Sequence, residues 1–120
     1  MPVEFNRNLL PVVERRMKAF FAVRRGKIFG YPAFYVGRKM FACVYRDAIG
    51  LKLPAEQAKA LISSRAGFAW FQPYGRRVMR EWIQIDAAHT ERLSRKELGA
   101  LLHDAKSFAQ RAQRNREGFK

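Results

Sequence analysis

Three short apolar runs separated by turn residues occupy residues 28–53, and they constrain the fold more than any other feature of the sequence. Ala33–Val36 and Met40–Tyr45 are rich in β-branched and aromatic residues, and Gly37-Arg38-Lys39 between them is typical of a turn. Apolar residues then alternate with glycine and lysine from Ile49 to Leu53, which indicates a half-buried strand. The region therefore predicts a three-stranded antiparallel meander.

The middle run, Met40–Tyr45, is apolar at every position, so we predict a central strand with two buried faces. Strict alternation would place Phe41, Cys43 and Tyr45 together on one face. If helices cover only the other face, these aromatic side chains would form an exposed patch of the kind that marks interfaces. Self-association as a symmetric dimer is the default way to cover it. The candidate interface residues are Tyr35, Phe41 and Tyr45.

Helices are predicted before and after the meander along the chain. Residues 9–23 carry apolar side chains at three- and four-residue steps, and Arg24-Arg25-Gly26-Lys27 is interpreted as the end of that helix. Pro54 opens a short helix through Ile62. Two further strands are predicted at Phe68–Phe71 and Val78–Ile85.

The last helix begins at a capping box, in which Ser94 and Glu97 each satisfy a free backbone N–H. An apolar stripe then runs to Ala112, and a basic tail follows from about residue 113. The predicted order is α-β-β-β-α-β-β-α. It indicates one α+β domain over residues 1–120, in which helices form a layer against an antiparallel sheet of about five strands.

The net charge is unusual: 24 Lys and Arg residues stand against 10 Asp and Glu residues, a formal charge of +14. Such a charge favours polyanionic partners such as nucleic acid, although it also keeps a protein soluble. Two basic clusters lie on predicted hairpin turns. The candidate residues for binding nucleic acid or another polyanion are Arg38, Lys39, Arg76, Arg77 and Arg80.

Residue types that carry catalysis are sparse. Cys43 is the single cysteine and lies inside a predicted strand, so we interpret it as a buried structural residue of a protein in a reducing compartment. His89 and His103 lack the partners of a metal site, and the scattered glycines form no phosphate-binding loop. No apolar run approaches the length of a membrane span. We therefore expect a cytoplasmic, non-enzymatic protein without metal, cofactor, membrane association or an evident small-molecule substrate.

Two segments resemble the TfoX N-terminal domain family. They are KIFGYPAFYVGRKMFACVYRDAIGLKLP at Lys27–Pro54 and PYGRRVMREWIQI at Pro73–Ile85, and the resemblance covers roughly residues 10–112. It implies a fold akin to the type III secretion chaperones and a role like that of competence regulators, which act through other proteins. It offers no catalytic residues.

Two functions remain open. The first is an adaptor or regulatory module that engages a protein partner; the alternative is a nucleic-acid-binding module without sequence preference, because no recognition helix or zinc finger is evident. An uncovered apolar sheet face would favour the first, and a contiguous basic face would favour the second.

Overall fold

An antiparallel sheet of six strands is the centre of the computed structural model, which describes residues 3–73 and 78–118, with side chains of the last helix only to residue 112. The elements are α1 Leu9–Met17, β1 Val23–Ile28, β2 Tyr31–Val36, β3 Lys39–Tyr45, β4 Ala48–Lys52, α2 Ala55–Ser64, β5 Phe68–Trp70, β6 Trp82–Asp86, α3 Ala87–Arg92 and α4 Arg95–Gly118. The strand order is β1-β2-β3-β4-β6-β5. The predicted α+β class is confirmed, and β3 is an interior strand as expected.

The helices pack on one face of the sheet, which we call the helix-covered face. The main core between the two layers contains Phe34, Val44, Leu51 and Ile83 from the sheet and Leu102 from α4, together with residues of the other helices. The second face, which we call the open face, carries a smaller apolar cluster of its own. The molecule is therefore a two-layer structure with a thin third layer of side chains on the open face.

The segment Arg24–Lys27 was predicted as the end of the first helix, and this prediction was wrong. α1 ends at Met17, the chain turns through Ala22 at a φ of 61°, and β1 then pairs with β2 along its whole length. Periodicity within residues 9–23 could not reveal this ladder, because its partner strand lies beyond the next turn.

Gly26 illustrates the difference between the predicted and the observed structure. It was interpreted as a helix C-cap, yet it lies in β1 across from β2. A Cβ at this position would lie 2.9 Å from Cε1 of Tyr35, whose ring covers the strand there. The glycine is therefore needed for a close cross-strand approach.

A β-bulge in β3 changes which face Phe41 occupies. Phe34 pairs with Ala42 and Tyr35 pairs with Met40, so Phe41 has no partner on β2. The extra residue breaks the alternation, and Phe41 joins Ala42 in the main core on the helix-covered face. The prediction that Phe41 shares a face with Tyr45 is corrected by this bulge.

The polypeptide after β6 contains a helix that the sequence did not predict. α3 begins immediately after Asp86, whose side chain accepts a hydrogen bond of 2.8 Å from the backbone N–H of His89. The Thr90 hydroxyl donates to the Asp86 carbonyl at 2.8 Å. With six residues, α3 is too short to show apolar periodicity. β6 also begins later than predicted, at Trp82 instead of Val78. Val78 and Met79 are exposed and precede the strand.

The capping box of the last helix is confirmed. The backbone N–H of Glu97 donates to Ser94 Oγ at 3.0 Å, and the backbone N–H of Ser94 donates to Glu97 Oε1 at 3.5 Å. The helix continues to Gly118, beyond the predicted start of the tail. Among the described residues, no helix has both the length and the apolar character that crossing a membrane requires.

Candidate nucleic-acid interface

The open face of the sheet is filled by the chain's own aromatic side chains. Ring centroids lie 4.6 Å apart for Tyr31 and Tyr45, 5.4 Å for Tyr45 and Phe71, and 5.7 Å for Phe71 and Trp82. All four residues are buried, and Phe5 from the N-terminal segment packs against them. The described part of this face therefore offers no large exposed apolar surface to a partner.

The three candidate interface residues do not form one exposed patch. Phe41 is 0% exposed on the helix-covered face, and Tyr45 is buried on the open face. Tyr35 is half-buried, and its hydroxyl donates to the Lys27 carbonyl at 3.1 Å. The expected apolar interface on the sheet is absent from these positions.

The strand register brings several basic residues to one end of the sheet. Lys39 pairs with Val36 where β2 turns into β3, Lys52 pairs with Trp82 between β4 and β6, and both pairs lie at the same end. Arg80 precedes β6 in a turn that the Trp82 N–H closes by donating to the Met79 carbonyl. We call this group the basic end; its members are Arg24, Arg38, Lys39, Lys52 and Arg80.

Arg24 lies beside the β2–β3 turn because its side chain contacts the backbone there. Its Nη2 donates to the Gly37 carbonyl at 3.2 Å, beside the turn that carries Arg38, and its guanidinium lies 4.8 Å from the ring centroid of Tyr35. Stacking of this kind orients the planar guanidinium. With strands about 4.8 Å apart, the steps from β1 to β6 give the basic end a length of roughly 20 Å.

Lys52 is held in the middle of the basic end. Its Nζ lies 5.8 Å from the ring centroid of Trp82 and 3.5 Å from a carboxylate oxygen of Glu81. Arg80 borders a shallow open depression of about 860 Å³ that Lys59 and Trp70 also line. Glu56 lines the same depression, so both charges are present between the basic end and α2.

The opposite end of the sheet carries acidic as well as basic side chains. There Asp47 accepts a hydrogen bond of 2.9 Å from the Asn6 side chain, and Asp86 caps α3. The pKa of Asp86 is lowered chiefly by the backbone N–H of His89, so the cap stays ionised at neutral pH. Cations lie at this end too: the guanidinium of Arg46 is 5.3 Å from the ring centroid of Tyr45, and that of Arg65 is 5.2 Å from the ring centroid of Phe68.

Sequence reasoning found part of the basic end and missed the rest. It selected Arg38 and Lys39 because they lie on a predicted turn, and Arg80 because it follows the basic pair Arg76 and Arg77, which falls outside the described residues. Arg24 was missed because it was assigned to a helix end. Lys52 was missed, although a signal for it was present. In the predicted strand it alternates with the apolar Leu51, so its side chain was expected on the face away from the main core.

Cys43 is buried on the open face, where a Cβ on Gly50 would lie 2.8 Å from its Sγ. Burial raises the pKa of the Cys43 thiol to about 12. Since only the thiolate is nucleophilic, this residue is not activated for covalent catalysis. Among the described residues, no group of three or more His, Cys, Asp or Glu side chains is placed to hold a metal ion.

We expect Cys43 in the folded protein to react with iodoacetamide at pH 8 about a thousand times more slowly than in denaturant, because the raised pKa leaves little thiolate. Mass spectrometry of samples quenched over time measures both rates, and the denatured sample is the control. Equal rates in the two samples would contradict the buried placement of the thiol.

A family model matches most of the chain. No curated protein and no solved structure matches the chain. The family model described as YjbR matches residues 12–105, more than three quarters of the chain, and no TfoX model matches. The resemblance to the TfoX N-terminal domain was therefore wrong, and the competence-regulator role and secretion-chaperone likeness rested on that resemblance alone. The chain belongs to the YjbR family.

Proposed function

We propose that this protein is a non-enzymatic, cytoplasmic nucleic-acid-binding module that holds phosphates at the basic end of its sheet without sequence preference. The observation that carries the proposal is the convergence of cations from separate segments of the chain on one end of the sheet. Duplex DNA carries one phosphate of each strand about every 3.4 Å along its helix axis, so a basic surface of roughly 20 Å is long enough to contact several phosphates.

Charge, rather than base stacking, supports this function. Most aromatic rings of the open face are buried, and those of Tyr35 and Trp82 lie beneath Arg24 and Lys52. Bases would therefore find few accessible rings, whereas phosphates would meet the exposed Arg24, whose guanidinium Tyr35 and the Gly37 carbonyl already orient. Interactions of this kind position a duplex and carry no sequence information.

A salt titration of duplex DNA binding, followed by fluorescence anisotropy, tests the proposal. We expect affinity to fall steeply with salt. The Arg38→Ala/Lys39→Ala variant should flatten the log–log slope by about two units, because each phosphate that the protein neutralises contributes about 0.9 to it. This variant should lose affinity to a similar degree for DNA duplexes of unrelated sequence.

The matched control is Arg95→Ala/Lys96→Ala, which removes the same charge from exposed positions in the first turn of α4. This variant should keep the wild-type slope. The proposal would be contradicted if the wild-type protein bound no DNA at low salt, or if the two double variants changed the salt slope equally.

A protein partner is the second candidate function. Two exposed phenylalanines favour it: Phe21, 88% exposed, precedes β1, and Phe29, 63% exposed, follows it. Exposed aromatic side chains are enriched where proteins bind one another.

A further inference from the structure

Trp70 lies one strand beyond the basic end of the sheet. It is the last residue of β5, and its register partner Ile83 is the second residue of β6. Because β5 is the edge strand beside β6, the Trp70 end of β5 and the basic end are at the same end of the sheet. The half-buried indole packs against the main core and borders the depression that Arg80 and Lys59 also line.

The depression leaves part of the Trp70 ring accessible. Its α2 wall includes Ala55, Ala60 and Ser63, whose side chains are short. Among the described residues, neither an aromatic ring nor a cation stacks on the indole, whereas the ring of Trp82 lies beneath Lys52. The volume of about 860 Å³ falls within the range of about 300–1,000 Å³ that is typical of small-ligand sites, so a flat ring has room to reach the indole.

The charges around the depression suit a nucleotide better than a phosphate alone. Lys59 and Arg80 are exposed and supply two cations, and Glu56 supplies a carboxylate beside them, which repels a bare phosphate. A nucleotide keeps its charge apart from its base, so its phosphates can lie at the cations while the uncharged base stacks on Trp70. A carboxylate such as that of Glu56 also accepts hydrogen bonds from the amino group of cytosine.

We propose that the depression holds an unpaired base of a single strand that continues beyond the duplex at the basic end, with Trp70 as the stacking platform. Bases inside a duplex are stacked on one another, so only an unpaired base presents its face to an aromatic side chain. Arg80 and Lys59 hold phosphates of the same strand. The assignment rests on the proposed function and names its favoured ligand, a duplex with a single-stranded overhang.

The test compares DNA ligands by fluorescence anisotropy at one salt concentration. They are a blunt duplex, the same duplex with a cytosine overhang of about three nucleotides at its 5′ or 3′ end, and the matching duplexes with abasic overhangs. We expect the wild-type protein to bind the cytosine overhang of at least one polarity about fivefold or more tightly than its abasic counterpart, because the abasic strand cannot stack on an aromatic ring. Both overhangs carry the same phosphates, so the difference measures the contribution of the base.

Two variants assign this difference to Trp70. Trp70→Ala should abolish it and change the affinity for the blunt duplex by less than about twofold, since bases in a duplex do not reach the indole. Trp70→Phe keeps an aromatic face and should retain most of it. Circular dichroism establishes that both variants are folded, and the wild-type comparison of cytosine and abasic overhangs stands without them.

Equal wild-type affinity for cytosine and abasic overhangs at both polarities would overturn the assignment, and so would an undiminished difference in a folded Trp70→Ala variant. If the blunt duplex still binds with a steep salt dependence in these cases, the nucleic-acid proposal stands. Failure of that proposal gives a different result: the wild-type protein binds neither the blunt nor the overhanging duplexes at low salt, which overturns both.

Discussion

Replacing Phe41 with alanine should lower the free energy of unfolding by about 3–5 kcal/mol, because the ring is fully buried in the main core and its removal leaves a cavity. Chemical denaturation followed by circular dichroism measures the change. Had Phe41 lain in an exposed patch, as predicted, the cost would be smaller. The bulge in β3 places it in the main core instead.

Phe21→Ala is the matched control for this prediction. It makes the same chemical change at a position that is 88% exposed, so its effect on the free energy of unfolding should stay within about 0.5 kcal/mol. Similar destabilisation by the two variants would contradict the assignment of Phe41 to the core.

Reversing two charges at the basic end should have the largest effect on binding. We expect the Arg38→Glu/Lys39→Glu variant to bind duplex DNA about 100-fold more weakly at about 0.1 M salt. Two phosphates are then left without their cations, and the two new carboxylates lie within a Debye length of neighbouring phosphates and repel them. Anisotropy titrations measure the change.

Arg95→Glu/Lys96→Glu alters net charge identically in the first turn of α4. It should weaken binding only a few-fold, because acidic side chains there do not face the bound duplex. If both reversals weaken binding equally, overall charge governs the interaction and the basic end is not a site.

Local signals in the sequence predicted the elements whose structure depends on neighbouring residues. The Gly37-Arg38-Lys39 turn indicated the β2–β3 hairpin, and the Ser94 and Glu97 capping box indicated the start of α4. β1 could not be predicted in this way, because its pairing with β2 and the close approach of Gly26 to Tyr35 are cross-strand features. The same holds for the bulge at Phe41, which no alternation pattern shows.

The candidate site was predictable only where its residues lie in local sequence patterns. A predicted turn revealed Arg38 and Lys39, and the cluster of basic residues that includes Arg76 and Arg77 revealed Arg80. The positions of Arg24 and Lys52 beside them required the register of the whole sheet. The mistaken family resemblance also rested on local signals. A Gly-Arg turn followed by an aromatic strand is ordinary hairpin chemistry, so it does not distinguish one family from another.

Mapping the DNA-binding surface by NMR tests the central claim most directly. Amide and side-chain signals of a ¹⁵N-labelled sample are followed while a short duplex is added. We predict that the largest shifts occur at Arg24, Gly37–Lys39, Lys52 and Arg80, and that added salt reverses them. Shifts centred on the first turn of α4, or spread evenly over all basic residues, would contradict a binding site at the basic end of the sheet.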